Sequence, residues 1–332
     1  MKKLIENQFP KYGIFKEEIE NINYKDYLLL SPLGSKLNLI KKYFAYNQFQ
    51  YLGGVSEDLI FGVAIADLKL ISNAFYYVYL PKQKKILSNS IKSPFSIGTE
   101  FTNQPEKGEV KFNFLGTKVK MIQETNLKKL ELKNKNINMQ IQFIEKGIDI
   151  IRICTKAGAN GWVYVRKNAG TKVIGKIESE FGSFNLDQLN LFGHNDFSMG
   201  YMRKETFWNW TCFTGQIHKK DVIGVNLSAG VNETEFSENS IWLNGKLFPL
   251  PQVSFTYNKL NLMEKWVIKS LDETLYLEFI PEGIFKENVN VIVLASNFNQ
   301  LYGRYTGKIK LKNKNILIEN LYGYAEDHYA KW

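Results

Sequence analysis

Short segments in which apolar and polar residues alternate recur about every ten residues along this chain, and they constrain its fold more than any other feature. Segments such as Glu109–Leu115 and Ile137–Phe143 have the period of two that places apolar side chains on one face of a β-strand. Asn244 and Gly245 form the dipeptide that most favours a tight hairpin turn. Helices are predicted only at 37–44 and 186–191, so strands and helices do not alternate as in parallel α/β folds. The sequence therefore predicts an all-β sandwich or barrel with few short helices.

The length of the chain favours two units of this kind. At about 150 residues per domain, 332 residues suggest two domains, and two halves of similar strand density meet near Lys167–Thr171. We therefore expect an N-terminal extension at 1–20, a first β-barrel-like domain at 21–168 and a second at 169–332. Two cysteines exclude a disulfide framework, and a chain this long can bury enough surface to fold without one.

The basic charge of the chain says little about its partners. The 43 Lys and Arg residues exceed the 33 Asp and Glu residues and give a formal net charge of +10, but they include only Arg152, Arg166, Arg203 and Arg304. Nucleic-acid readers favour the bidentate arginine fork, whereas the lysines here are scattered over strand faces. We therefore expect no nucleic-acid partner, and peripheral contact with an anionic membrane surface stays open.

No segment of the sequence is typical of export or of a membrane span. The first residues carry lysines without the apolar core of a secretory signal, and no apolar stretch reaches the ~18–20 residues of a membrane-spanning helix. We expect a cytoplasmic protein. With three histidines and no dinucleotide-binding or phosphate-binding motif, we also expect no metal and no cofactor.

The segment 192–210 has the densest mixture of polar and aromatic residues. In an extended strand His194, Asp196 and Ser198 point to one face, and Trp208 and Trp210 share a face by the same rule. A histidine, a carboxylate, one of the few arginines (Arg203) and two tryptophans are typical of a pocket lining. The alternative is that the polar residues form turns and that the tryptophans belong to the core.

Two further segments are candidates. Asn226 lies in an alternating strand and must be hydrogen-bonded inward if that strand is central, although its polar face could equally meet solvent. Glu238 precedes a short strand, where it could line a site or only stabilise a loop. Glu326 and His328 are i, i+2 neighbours that could form an acid/base pair, whereas the alternative is an ordinary packed or frayed tail.

These residues occur in an order that resembles a known bacterial family, domain of unknown function 2804. The likeness extends over about residues 20–332 and rests on several moderately specific motifs in order: His194-x-Asp196-x-Ser198-x-Gly200, Arg203-x-x-x-x-Trp208-x-Trp210, Asn226-Leu-Ser-x-Gly230, Glu238-Asn239, Tyr302-Gly303-x-x-x-Gly307 and Gly323-x-x-Glu326-x-x-x-Ala330-x-Trp332. This resemblance carries no catalytic assignment.

The strand pattern and aromatic richness also resemble the lipocalin-like group of carotenoid hydratase and tocopherol cyclase. That resemblance implies two lipocalin-like (calycin-type) antiparallel β-barrels or curved sheets packed together around a hydrophobic cavity. Enzymes of that group protonate a double bond of a long polyene or prenyl substrate.

We therefore expect a cofactor-free enzyme that uses acid/base chemistry (hydration, isomerisation or cyclisation) on a small hydrophobic molecule. Asp196 would donate or accept the proton, and His194 would tune Asp196 or relay its proton. Arg203 would orient Asp196 or a ligand carboxylate, and Glu326 and His328 would form a second acid/base pair. Ser198, Trp208, Trp210, Asn226 and Glu238 would line the ligand site. The alternatives are a non-catalytic lipid- or polyene-binding protein and a carbohydrate-active β protein.

Overall fold

The computed structural model describes residues 2–231, 236–291, 294–311 and 314–332, and strands dominate it. The first sixteen strands are β1 (Ile5–Glu6), β2 (Phe9–Pro10), β3 (Gly13–Ile14), β4 (Asn47–Val55), β5 (Ile60–Asp67), β6 (Ile71–Leu80), β7 (Lys85–Pro94), β8 (Thr99–Phe101), β9 (Glu109–Phe114), β10 (Thr117–Glu124), β11 (Leu127–Lys133), β12 (Ile137–Ile144), β13 (Ile151–Ala157), β14 (Gly161–Ser179), β15 (Gly182–Asn185) and β16 (Phe192–Tyr201). The remaining nine are β17 (Glu205–Gln216), β18 (Val222–Ala229), β19 (Ser240–Leu243), β20 (Lys246–Pro249), β21 (Val253–Thr256), β22 (Trp266–Ser270), β23 (Leu275–Val291), β24 (Leu294–Leu311) and β25 (Lys314–Lys331).

Helices are short. Within the described residues the single α-helix is α1 (Leu39–Phe44), inside the predicted segment 37–44. The helix predicted at 186–191 is wrong except for one 3₁₀ turn at Leu186–Gln188, because the chain extends again at once to enter β16. The other 3₁₀ turns are Tyr24–Asp26, Pro81–Gln83 and His218–Lys220. None of the helices in the described ranges has the length and apolar character to cross a membrane.

The strands form two large antiparallel sheets and one small hairpin, β1–β2. The first sheet has the order β7-β6-β5-β4-β16-β14-β12-β11-β10-β9-β8, with β13 and β15 also paired to β14 and β3 paired to β13. The second has the order β20-β19-β18-β17-β25-β24-β23-β22-β21. Both sheets curve into half-barrels, so the predicted fold class is confirmed.

The chain passes from the first sheet to the second between Tyr201 and Glu205. The boundary expected at 168/169 instead falls inside β14, a continuous strand of 19 residues. Its register with β16 shifts between Ala169 and Thr171, so an irregular strand occupies the position where the two halves were expected to meet.

Alternation along the strands creates the buried core. In β12 the buried residues are Ile137, Met139, Ile141 and Phe143, and they join an apolar cluster inside the first half-barrel. The second half-barrel has its own cluster, and a third, rich in tyrosine, lies between the two sheets. The predicted turn is also confirmed, since Asn244 and Gly245 have φ values of 51° and 81° and connect β19 to β20.

The two sheets approach each other closely at one glycine. A Cβ atom on Gly224 in β18 would lie 2.5 Å from the carbonyl carbon of Ala169 in β14. Only glycine permits this approach of the two backbones. The contact brings β14 and β16 of the first sheet opposite β17, β18 and β25 of the second, and we call the region between these strands the seam.

Candidate functional site

The seam contains a lysine that bridges two carboxylates. Lys167 in β14 is the direct cross-strand partner of Asp196 in β16, and its Nζ lies 2.8 Å from Asp196 Oδ2 and 2.8 Å from Glu238 Oε1. The other oxygens, Asp196 Oδ1 and Glu238 Oε2, accept no hydrogen bond from the part of the chain that the structure describes. When both carboxyl groups are ionised, the three charges sum to a net negative charge.

Burial and charge oppose each other in this group. Burial raises the pKa of Asp196 and outweighs the attraction of the Lys167 ammonium. Burial also disfavours the charged form of Lys167, but Asp196 and Glu238 together raise the pKa of its amine above the ordinary value. Lys167 therefore stays cationic, and Asp196 is a stronger proton acceptor than an exposed aspartate.

Glu326 in β25 provides a carboxyl group that is readily protonated near neutral pH. Gln300 Nε2 donates to its Oε1 at 2.6 Å and Trp208 Nε1 donates to its Oε2 at 3.4 Å. Burial raises the pKa of Glu326 to about 7, against the effect of these two hydrogen bonds, and the Asp196 carboxylate adds to the rise. A carboxyl group with this pKa can donate or accept a proton at neutral pH.

His194 is packed among aromatic rings and remains neutral. Its ring centroid lies 5.2 Å from that of Tyr51 and 5.1 Å from that of Tyr324, and burial, helped by Lys167, lowers its pKa to about 3. A Cβ atom on Gly53 would lie 2.4 Å from His194 Cε1, so glycine is required to accommodate the imidazole. Neither ring nitrogen bonds to a protein group in the described structure, so the expected hydrogen-bonded relay to Asp196 is not formed.

His328 shares a face with Glu326, as the spacing predicted, but Trp208 lies against both. The His328 ring centroid is 4.1 Å from that of Trp208, and its Nε2 is 3.0 Å from the Ser296 hydroxyl oxygen. Burial lowers the pKa of His328 to about 3. His328 is therefore a neutral imidazole that packs on Trp208.

Trp210 and Asn226 hold the loop that carries Glu238. Trp210 Nε1 donates to Asn226 Oδ1 at 2.9 Å, and Asn226 Nδ2 donates to the Glu238 carbonyl oxygen at 3.1 Å. Asn226 is buried, so it follows the inward alternative and not the solvent-facing one. Through these two hydrogen bonds, Trp210 and Asn226 fix the backbone at Glu238 beside the seam.

The described contacts of Arg203 are with a loop edge and not with the lysine bridge. Its Nη2 donates to the Gly230 carbonyl oxygen at 2.6 Å and to the Thr206 hydroxyl at 3.1 Å. These contacts tie the guanidinium to a loop edge and do not include the expected bond to Asp196. Ser198 is half-buried on the face that it shares with Asp196.

Of the residues predicted from the sequence, Asp196 and Glu238 lie on Lys167 and Glu326 lies near them, whereas Lys167 and Gln300 were not predicted. Arg166 and Lys167 directly follow the apolar run 162–165, and this was the available signal for Lys167, since a charge at such a position in a central strand requires a buried partner. Gln300 had no comparable signal. Asp196, Trp208 and Glu326 are partly exposed, so the seam can be reached from solvent at this end.

Solved structures similar to this chain include proteins from two organisms. A protein of Nitrosomonas europaea provisionally assigned as AttH has 12% identity and a TM-score of 0.48, with 85% of this chain and 91% of that chain covered. Kievitone hydratase from Nectria haematococca has 10% identity and a TM-score of 0.48, with 86% of this chain and 89% of that chain covered. No curated protein matches the chain. The family model described as Domain of unknown function (DUF2804) matches residues 8–332, and the chain belongs to that family.

Proposed function

We propose that the protein is a cofactor-free enzyme that protonates a carbon–carbon double bond of a small hydrophobic molecule held at the open end of the seam. The observation that carries this proposal is Glu326, whose burial raises its pKa to about 7 beside the half-exposed Trp208. A protonated carboxyl group next to an aromatic ring has the properties needed to add a proton to an alkene.

The lysine-bridged carboxylates supply the complementary step. Glu326 gives its proton to one alkene carbon, the π electrons form the new C–H bond, and the adjacent carbon becomes cationic. The face of Trp208 stabilises that cation. Asp196 then removes a proton. Loss from a carbon next to the cation gives isomerisation, and loss from an attacking water molecule gives hydration. In cyclisation the π electrons of a second double bond in the same molecule first attack the cation and form the ring C–C bond, and Asp196 removes a proton from the carbon next to the new cation. One proton enters and one leaves, so no redox partner is required.

Lys167 and His194 have supporting roles in this scheme. Lys167 keeps Asp196 in place without becoming a proton donor, because the pKa of its amine is raised. His194 fills the aromatic wall as a neutral ring. The expected cytoplasmic location, the absence of a nucleic-acid partner and the option of peripheral membrane contact stay predictions.

Isotope exchange tests the proposal. Hydrophobic molecules extracted from the purified protein, together with a panel of prenyl and polyene alcohols, are incubated with it in D₂O and analysed by mass spectrometry. We expect deuterium on carbon in at least one compound, and Glu326→Gln and Asp196→Asn to slow its incorporation by about 100-fold or more. Glu319→Gln, an exposed carboxylate change on the same strand, is the control.

Two outcomes would contradict the proposed enzymatic activity. Undiminished exchange in Glu326→Gln would remove this residue as the proton donor. A bound molecule recovered without deuterium from the unmodified protein would favour the non-catalytic lipid- or polyene-binding alternative.

A further inference from the structure

A cavity of about 370 Å³ lies at the end of the second half-barrel, on the face of β25 that is opposite the seam. Its volume lies in the range of about 300–1,000 Å³ that is usual for small-molecule pockets. Residues that line it include Lys259, Lys286, Asn297, Asn299 and Asp327. The cavity belongs to a different face of the sheet, so it is separate from the proposed proton chemistry.

Strand register explains why the cavity is polar. Ile284, Leu301 and Ala325 are cross-strand neighbours in the apolar core of this half-barrel. Two residues further along these strands, on the same face, the cross-strand neighbours are Lys286, Asn299 and Asp327. Asn209 of β17 pairs with Asp327 and continues this polar row. A further step of two gives Asn288 and Asn297. The strands thus extend past their apolar layer and present polar rows on the same face.

Asp327 is fixed by an aromatic group behind it. The Tyr257 hydroxyl donates to Asp327 Oδ1 at 2.5 Å, and Asn209 Nδ2 donates to the Tyr257 oxygen at 2.9 Å. The Tyr257 ring is stacked on Trp266 with a centroid distance of 3.8 Å and an interplanar angle of 8°. The carboxylate is therefore held in one orientation before any ligand arrives, which reduces the entropy cost of binding.

The charges and polar groups of the lining define the ligand class. The charged side chains that face the cavity are those of Lys259, Lys286 and Asp327, because the Glu287 carboxylate lies on the other face of β23 and pairs with Lys92. Uncharged amides outnumber these charged groups, so hydrogen bonding dominates the lining. Four asparagines line it (Asn261, Asn288, Asn297 and Asn299), and an amide both donates and accepts hydrogen bonds, as a hydroxyl group does.

The loop between β21 and β22 adds apolar surface to this lining. Leu260, Leu262 and Met263 belong to the lining, and their apolar surface suits the C–H faces of a ligand. We propose that this cavity binds a neutral polyhydroxylated molecule, such as a sugar or a cyclic polyol, with Asp327 and Asn299 as its main hydrogen-bonding partners.

Saturation-transfer NMR on the full chain tests this inference, with glucose, maltose and myo-inositol as neutral probes and choline and citrate as charged ones. We expect transfer to at least one neutral probe. Asp327→Asn, which keeps the shape of the side chain, and Asn299→Leu should each weaken its binding by about tenfold or more. Circular dichroism and thermal unfolding show whether each variant is folded.

Glu326→Gln is the matched control, because Glu326 is the sequence neighbour of Asp327 on the opposite face of β25. It should leave polyol binding unchanged even if it abolishes isotope exchange, which separates this inference from the proposed enzyme. Absence of transfer to all three neutral probes, transfer to choline or citrate alone, or undiminished binding in Asp327→Asn would each overturn the proposal.

Discussion

Glu326 and Asp327 are adjacent residues with different surroundings. Glu326 points into the seam, where it meets Gln300 and Trp208, whereas Asp327 points into the cavity of the second half-barrel and meets Tyr257. The alternation of side chains along a strand is responsible for this division. A single strand thus contributes a carboxyl group to each of the two proposed sites.

The raised pKa of Glu326 predicts a pH-dependent effect on stability. Between its ordinary value of 4.5 and about 7, the folded chain holds a proton that the unfolded chain has lost, so this group makes stability fall as the pH rises through that window. Glu326→Gln should therefore be more stable than the parent at about pH 8, on the order of 1–3 kcal/mol, and similar to it at about pH 4.

Urea denaturation of the parent and variant at both pH values measures this difference, with Glu319→Gln as the exposed control. If the Gln variant is less stable than the parent at the higher pH, burial does not destabilise the charged form of Glu326.

At the scale of the strands, two of the few arginines join β13 and β14 to a pair of buried carboxylates. Arg152 and Arg166 are cross-strand partners, and both donate to Glu106, at 2.6 Å and 3.0 Å from their Nε atoms. Arg166 Nη2 also donates to Glu145 Oε2 at 2.7 Å. The network holds the loop segments that carry the two glutamates against the sheet, and all four side chains are buried.

Substitution of Arg166 should lower the free energy of unfolding much more than substitution of Arg304, which lies outside this network. Arg166→Met should cost about 3–5 kcal/mol because it leaves Glu145 without its cation and Glu106 with only one. Arg304→Met should cost less than about 1 kcal/mol, since the Arg304 side chain is 41% exposed where it meets Glu282. Chemical denaturation measures both, and similar losses would contradict the assignment of the buried network as structural.

Across the whole molecule, tyrosines join the two sheets. The Tyr324 hydroxyl in β25 lies 3.1 Å from both the Gly54 and the Phe61 carbonyl oxygens of the first sheet and shares its proton between them. Its ring is 5.1 Å from His194 and 6.2 Å from Trp210, centroid to centroid. Because the buried cluster of the seam draws on both sheets, we expect one cooperative unfolding transition.

A matched pair of tyrosine variants tests the contact between the sheets. Tyr324→Phe should lower the free energy of unfolding by about 1–3 kcal/mol, because it removes a buried hydroxyl group that bonds to two carbonyl oxygens of the other sheet. Tyr302→Phe should change it by no more than about 0.5 kcal/mol, since the Tyr302 hydroxyl has no hydrogen-bond partner in the described ranges. Equal effects in thermal or urea unfolding would contradict this view of the interface.

The sequence by itself determined the strands, the Asn244–Gly245 turn and the shared face of His194, Asp196 and Ser198, since a period of two and a turn dipeptide are local properties. It also placed Glu326 and His328 on one face. The tertiary structure decided what those faces meet. The register of β14 with β16 sets Lys167 beside Asp196, and the register of β24 with β25 sets Gln300 beside Glu326. Strand order and register depend on pairings between distant segments, and no local pattern encodes the surroundings that those pairings give each carboxyl group.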